Sequence, residues 1–293
     1  MVVKRLWLFP VATFCTFISS MIISYAVAVS EGHVDSFWPY ISTTGTKPPE
    51  SCIFGQLLNI AAVLVGICFY LRHQEIMVFY GRFDRNDNYW KLASKVFLGI
   101  GFLSAFGISI VANFQETSVL EVHMIGALMA FGFGLVYAWA QTVYTYYMTP
   151  RPTRIGINHV RLVLCMLGTI FFISMEATGF SRNSNRDKNS NSGPNETTTP
   201  KHINHWNSDM EGYAEHIVST MSEWLMVIAF QVYILTYAYE LRLAEEVPPK
   251  MFLRLPQDRE PAVTYSTQST GYGSQPSQQQ QATVSYLQPS DEA

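Results

Sequence analysis

Six long apolar stretches constrain this sequence more than any other feature. Each holds the roughly 20 mainly apolar residues that an α-helix needs to cross a hydrocarbon core of about 30 Å. A soluble protein with very apolar core helices is the alternative, but such helices carry charges along one face and these stretches do not. The sequence therefore predicts an all-α polytopic membrane protein with six transmembrane helices. The stretches are about Leu6–Val29, Ile53–Leu71, Leu92–Ala112, Leu120–Tyr144, Leu162–Phe180 and Ile217–Leu241.

The positions of the basic residues predict how the spans are oriented. Most of the 19 Lys and Arg residues lie before the first stretch, in the loops 72–91 and 148–159, or after the sixth stretch. Short loops rich in Lys and Arg stay in the cytosol, so the N- and C-termini are both predicted to be cytosolic. A signal peptide cleaved near Ala26–Ala28 is the alternative for the first stretch. Its apolar run is longer than the about 7–15 residues of a typical signal core.

Two polar segments divide the chain into a predicted domain and its appendages. Residues 181–204 are rich in Asn, Ser and Thr and lack apolar anchors, which predicts a disordered lumenal insertion within a six-helix domain 1–243. Residues 255–293 are rich in Gln, Ser and Pro, which predicts a disordered cytosolic tail. Asn195 begins an Asn-Glu-Thr sequon in the insertion, and a lumenal sequon of this kind predicts N-glycosylation.

Small residues recur at every fourth position in two of the stretches. Such a pattern allows the backbones of transmembrane helices to approach closely. We therefore expect the third and fourth spans to pack through these residues, and a ligand groove is the alternative. The residues are Gly101, Ala105 and Ser109 in the third stretch, and Gly126, Ala130, Gly134 and Ala138 in the fourth.

Ionisable side chains near the lumenal ends of the spans are the candidates for a functional site. Glu223 lies about two turns into the sixth stretch, and His216 lies about two turns before it on the same face. His123 opens the fourth stretch on the same side of the membrane. Converging His and carboxylate groups could bind a metal ion, a proton or a lipid headgroup. The alternative is a structural hydrogen-bond network between helices, and the sequence holds no triad or HExxH spacing that predicts an enzyme.

A short motif in the predicted loop 72–91 has the form of a trafficking signal. Tyr80 and Phe83 fit the pattern of a tyrosine followed three residues later by a bulky apolar residue. Vesicle adaptors recognise such segments in cytosolic loops, so the motif predicts sorting. The alternative is that the match arose by chance and that this segment is held against the membrane.

Several longer motifs resemble one family. The likeness runs from the first stretch to about Leu243 and includes six spans in the same order. The motifs are Gly32–Asp35, Pro39–Thr46, Pro49–Gly55, Leu58–Leu64, Ser109–Gln115, Val122–His123, Gly126–Ala127, Ile203–Trp206, Gly212–Tyr213, His216 and Glu223–Trp224. On these motifs the chain is identified as a member of the damage-regulated autophagy modulator family, with special similarity to the second vertebrate paralogue around 58–64. The 181–200 insertion and the Gln-rich tail depart from the family.

The resemblance implies a lysosomal membrane protein that promotes autophagy and is linked to cell-death responses. It implies no reaction, no catalytic residue and no cofactor. The implied partners are membrane lipids and autophagy or trafficking proteins on the cytosolic side, with no role for nucleic acid. Other endomembranes or the plasma membrane are the alternative location. Distant relatives handle lipids, so a lipid-binding or lipid-remodelling protein using His123, His216 and Glu223 is the alternative function, and transport is a weaker third.

Overall fold

The structure is a computed structural model that describes residues 5–83, 88–149, 154–190, 206, 209–210 and 212–242. All regular structure in these ranges is helical. A short 3₁₀ turn, Thr43–Gly45, lies between the first two helices, and a π-helical turn, Met129–Phe133, joins α4 to α5. The helices are α1 Leu8–Ser30, α2 Glu50–Phe83, α3 Asn88–Asn113, α4 Leu120–Leu128, α5 Gly134–Tyr147, α6 Ile155–Ser190, α7 Tyr213–Leu235 and α8 Tyr237–Leu241.

The predicted six transmembrane helices are confirmed. Six helical segments are long and apolar enough to cross a membrane. The fourth span is continuous through α4, the π turn and α5, and the sixth runs through α7 into α8. Six crossings place the start of the first span and the end of the sixth on the same side of the membrane, which the basic residues predict to be the cytosolic side.

The predicted cytosolic loop 72–91 is wrong in its extent. α2 continues for 34 residues to Phe83, about 51 Å, and α3 begins at Asn88. Polar residues end the apolar stretch at Leu71, but the helix goes on because Ile76 and Tyr80 bury against Tyr144 and Met148. Tertiary packing therefore extends the helix beyond the apolar stretch.

The predicted insertion 181–204 is also partly helical. α6 extends for 36 residues to Ser190, so residues 181–190 continue its backbone helix. Adding a residue to an existing helix costs much less than starting a new one, which allows a polar segment to continue α6. Residues 191–204 lie outside the described residues. The chain divides into two units, Met1–Val247 and Pro248–Ala293, and the predicted tail 255–293 in the second unit also lies outside them.

Small residues bring α3 against the fourth span, but the closest approach is at Gly107, which is not one of the residues predicted for the third stretch. A Cβ atom built on Gly107 would lie 2.5 Å from the backbone nitrogen of Ala130 and 2.7 Å from the carbonyl oxygen of Gly126. Ser104 of α3 donates a 2.7 Å hydrogen bond to the carbonyl oxygen of Ala130 inside the π turn. The π turn interrupts the regular α-helical hydrogen bonding, and this hydroxyl supplies a donor there.

Candidate functional site

The predicted site residue Glu223 holds the loop that follows α1. We call this loop, residues 31–49, the lumenal cap. The Glu223 carboxylate accepts a 2.8 Å hydrogen bond from the backbone N–H of Ile41, and the side chain is buried. Ile41 itself packs into the apolar core of the bundle beside Phe54 and Val227. A carboxylate buried in a membrane needs such donors, because lipid offers none.

Two aromatic side chains fix the cap next to Glu223. The indole N–H of Trp224 donates a 2.9 Å hydrogen bond to the carbonyl oxygen of Pro39. The hydroxyl of Tyr25 in α1 donates a 2.7 Å hydrogen bond to the carbonyl oxygen of Ser36. Tyr25 also packs edge-on against Trp224, with ring centroids 6.0 Å apart. The cap is therefore tied to both the first and the last span.

Three more carboxylates fasten the cap and its surroundings. Glu116, between α3 and α4, accepts hydrogen bonds from the hydroxyls of Ser42 at 3.0 Å and Thr43 at 3.2 Å. Glu50, the buried first residue of α2, pairs with His33. Asp35 accepts a 2.6 Å hydrogen bond from the backbone N–H of Trp206, just before α7. These contacts come from separate segments of the chain, so the cap links all of them.

The structure places the two predicted histidines in different surroundings. His216 is buried beside the cap, stacked on Trp206 with ring centroids 4.2 Å apart and packed edge-on against Tyr40. His123 donates through Nδ1 to the carbonyl oxygen of Phe114 at 2.7 Å, which closes the tight turn between α3 and α4. The cap thus brings Glu223 and His216 to one region, whereas His123 bonds to a different segment.

This geometry favours anchoring over coordination chemistry. The hydrogen bond of Glu223 goes to the cap backbone, and that of His123 goes to a helix-connecting turn. Among the residues that the structure describes, no group of three or more His, Cys, Asp or Glu side chains is placed to hold a metal ion. Binding of a proton or a lipid headgroup by these three residues stays a prediction.

Removing the Glu223 carboxylate should loosen the cap. We expect Glu223→Ala to speed hydrogen exchange at the Ile41 amide and across residues 31–49, because a buried donor loses its acceptor at a cost of about 1–3 kcal/mol. Glu223→Gln keeps an acceptor oxygen and should retain most of the protection. Glu215→Ala removes an exposed carboxylate from the same helix and is the matched control. Equal exchange in Glu223→Ala and the control would contradict this role.

The sequence prediction missed a second buried cluster at the cytosolic end. Arg72 of α2 and Arg161 of α6 are 1% and 0% exposed, and both bond to Glu240 of α8. Glu75, one turn after Arg72, completes the charges with a 2.8 Å bond to it. We call these four residues the cytosolic ionic cluster, in which two positive charges face two negative charges.

Polar neighbours use almost all the donors of the two arginines. Arg161 holds Glu240 through two hydrogen bonds of 2.9 Å, one to each carboxylate oxygen, and bonds Thr236 at 2.8 Å. Arg72 bonds Glu240 at 2.9 Å and Gln141 at 3.2 Å. The hydroxyl of Thr145 in α5 accepts from both arginines. Such complete pairing is what makes a buried ion pair tolerable.

The cytosolic ionic cluster joins four helices where the bundle meets the cytosol. Its charges come from α2, α6 and α8, and Gln141 and Thr145 add α5. The guanidinium groups of Arg72 and Arg161 also lie over the Tyr237 ring, 5.6 Å and 4.9 Å from its centroid. One signal could have indicated the cluster: Glu240 lies inside an apolar stretch, where a carboxylate requires a cationic partner.

The predicted sorting motif is not displayed as an open segment. Tyr80 lies within α2, is 5% exposed and stacks on Trp90 of α3 with ring centroids 5.9 Å apart. Phe83 ends α2, and its side chain lies outside the described residues. Recognition of Tyr80 would require this end of α2 to unwind, and sorting through this motif stays a prediction. Asn195 lies outside the described residues.

Comparison with known proteins identifies the family. The family model described as the Frag1/DRAM/Sfk1/Cwh43P N-terminal domain matches residues 5–244, which include all six spans. The chain belongs to this family. The Frag1/DRAM match also includes the cap and the cytosolic ionic cluster, so both lie within the family domain. No solved structure matches the chain.

Individual relatives within the Frag1/DRAM family carry names from autophagy. DNA damage-regulated autophagy modulator protein 2 of Mus musculus is 37% identical over 225 residues, which cover 77% of this chain and 78% of the relative. DNA damage-regulated autophagy modulator protein 1 of Homo sapiens is 33% identical over 238 residues, which cover 78% of this chain and 90% of the relative. Modulator of macroautophagy TMEM150B-B of Xenopus laevis is 40% identical over 156 residues, which cover 52% of this chain and 64% of the relative. The predicted family membership is confirmed.

Proposed function

We propose that this chain is a lysosomal membrane protein that promotes autophagy and acts through protein partners on its cytosolic side, without catalysis. The observation that carries the proposal is the family match over residues 5–244, together with relatives named as autophagy modulators. A link to cell-death responses and the lysosomal location come from the family resemblance.

The cytosolic end of the bundle offers a surface suited to partners. The side chains of Tyr89 and Tyr147 are 70% and 66% exposed, and both pack against Trp90. Arg82 and Arg154 are exposed on the same side. Exposed aromatic and arginine side chains on a rigid base are typical of protein interfaces, so this surface supports docking of an autophagy or trafficking protein.

Autophagic flux in cells tests the function. We expect loss of the protein to slow the lysosome-dependent turnover of a lipidated autophagosome marker, and the full chain to restore it. The double variant Tyr89→Ser/Tyr147→Ser should restore less, because it removes the exposed rings and leaves Trp90 in place. A chain lacking residues 255–293 tests separately whether the tail is needed to restore flux. Unchanged flux after loss of the protein would overturn the proposed function.

A lipid-binding or lipid-remodelling protein is the second candidate. Buried His216 and Glu223 lie beneath one lumenal cap, and His123 lies at the same end of the bundle. Ionisable groups are costly within a membrane, and this cost supports a role for them beyond packing. The two candidate functions differ in whether they need the ionisable carboxyl of Glu223.

A further inference from the structure

The lumenal cap descends alongside the membrane-spanning helices. Ser36 is held by Tyr25, which lies more than one turn before α1 ends at Ser30. Pro39 is held by Trp224, about three turns after α7 begins at Tyr213. Ile41 reaches the apolar core of the bundle. The segment 36–41 therefore lies at a depth where the flanking helices are already within their apolar spans.

Two aromatic side chains project from this descending segment. The side chains of Phe37 and Trp38 are 59% and 39% exposed, although they lie between residues fixed by hydrogen bonds on either side. Trp38 has a φ angle of +46°, a left-handed conformation that is rare for a bulky residue. Strain of this kind persists only where the surrounding contacts enforce it, and here the bonds at Ser36 and Pro39 do so.

Lipid is the partner that matches this exposed edge. Trp38 packs edge-on against Trp224, and Ile22 and Ile23, close to Tyr25 on α1, are also exposed. The Trp38 ring thus lies against α7, and α1, which also holds the cap, has exposed apolar side chains of its own. Aromatic rings concentrate where lipid headgroups meet acyl chains, because one part of the ring is apolar and its rim tolerates polar neighbours.

We propose that the edge of the lumenal cap formed by Phe37 and Trp38 inserts into the lumenal leaflet of the membrane, at the boundary between headgroups and acyl chains. The cap is then a membrane-anchored loop and not a water-exposed cover. The hydrogen bond that the Trp224 indole donates to the Pro39 carbonyl and the one that the Ile41 N–H donates to Glu223 connect this anchor directly to α7. The inference is independent of the proposed role in autophagy.

Site-directed fluorescence in vesicles tests the insertion. The full chain, with Cys15 and Cys52 replaced by serine, is reconstituted in phosphatidylcholine vesicles and labelled at Phe37→Cys with an environment-sensitive fluorophore. Lys47→Cys, an exposed position on the same cap, is the matched control. Iodide enclosed with the lumenal face should quench the label at position 47 several-fold more than the label at 37. Lipids that carry a quencher on the acyl chain close to the headgroup should quench the label at 37 more than the label at 47.

A second measurement uses the native side chain and avoids the label. Trp38→Phe removes one of the six tryptophans, so the difference between its emission and that of the unmodified chain reports Trp38. This difference should be quenched more by lipids brominated near the headgroup than by lipids brominated near the chain end. Iodide quenching at position 37 equal to that at 47 would overturn the proposal. Protection at 37 from both quenchers would overturn it as well, since a protein surface would then cover the edge.

Discussion

Glu240→Leu should strongly destabilise the helix bundle. It leaves Arg161 buried without a carboxylate partner and leaves Arg72 with Glu75 alone, and an uncompensated buried charge costs about 3–5 kcal/mol. We expect the purified variant, in mixed detergent micelles, to unfold at a markedly lower mole fraction of the denaturing detergent. The measurement is the unfolding transition followed by tryptophan fluorescence.

Two further variants separate pairing from general damage. Arg154→Leu removes an exposed arginine just before α6 and should leave the transition nearly unchanged. The double variant Arg161→Leu/Glu240→Leu should lose less stability than the sum of the two single variants, because residues in one ion-pair network are coupled. If Glu240→Leu unfolds at the same point as Arg154→Leu, the cytosolic ionic cluster does not stabilise the fold.

Gly107→Ala should produce the second large effect. Its new Cβ atom would meet the backbone of Ala130 at 2.5 Å and of Gly126 at 2.7 Å, and neither can move aside as a flexible side chain could. The two helices must separate, and overpacking of this kind costs about 1–3 kcal/mol. The same unfolding transition in mixed micelles measures the loss.

A glycine on the same helix supplies the control for Gly107. Apart from the neighbouring backbone of its own helix, nothing lies within 4 Å of a Cβ built on Gly99, so Gly99→Ala removes a flexible residue without a clash. Alanine is favoured over glycine in a helix by about 1 kcal/mol, and this variant should be unchanged or slightly more stable. Equal stability of Gly99→Ala and Gly107→Ala would show that close approach at Gly107 does not limit the packing.

The spans could be predicted because the membrane itself sets their length and polarity. The prediction for Arg72 is wrong. A basic residue that follows an apolar stretch is expected to mark the start of a cytosolic loop. In the structure Arg72 lies within α2 and faces Glu240, which is far away in the sequence. The partner of a charged residue is a property of the tertiary fold, and periodicity within one helix does not reveal it.

The candidate site shows the same limit. The sequence singles out Glu223 because a carboxylate in an apolar span needs a partner. It does not indicate that the partner is the backbone N–H of Ile41, because every residue other than proline carries that donor. Likewise, nothing in the neighbourhood of His123 predicts that its ring closes the turn at Phe114.

The role of Glu223 tests most directly whether the protein regulates autophagy without lumenal chemistry. The measurement is autophagic flux in cells that lack the native protein and express Glu223→Gln, which replaces the ionisable carboxyl by an amide and keeps a hydrogen-bond acceptor for Ile41. We predict that this variant, folded and delivered to the same membrane as the unmodified chain, restores flux fully. A correctly delivered Glu223→Gln protein that fails to restore flux would contradict the account and favour the lipid-handling alternative.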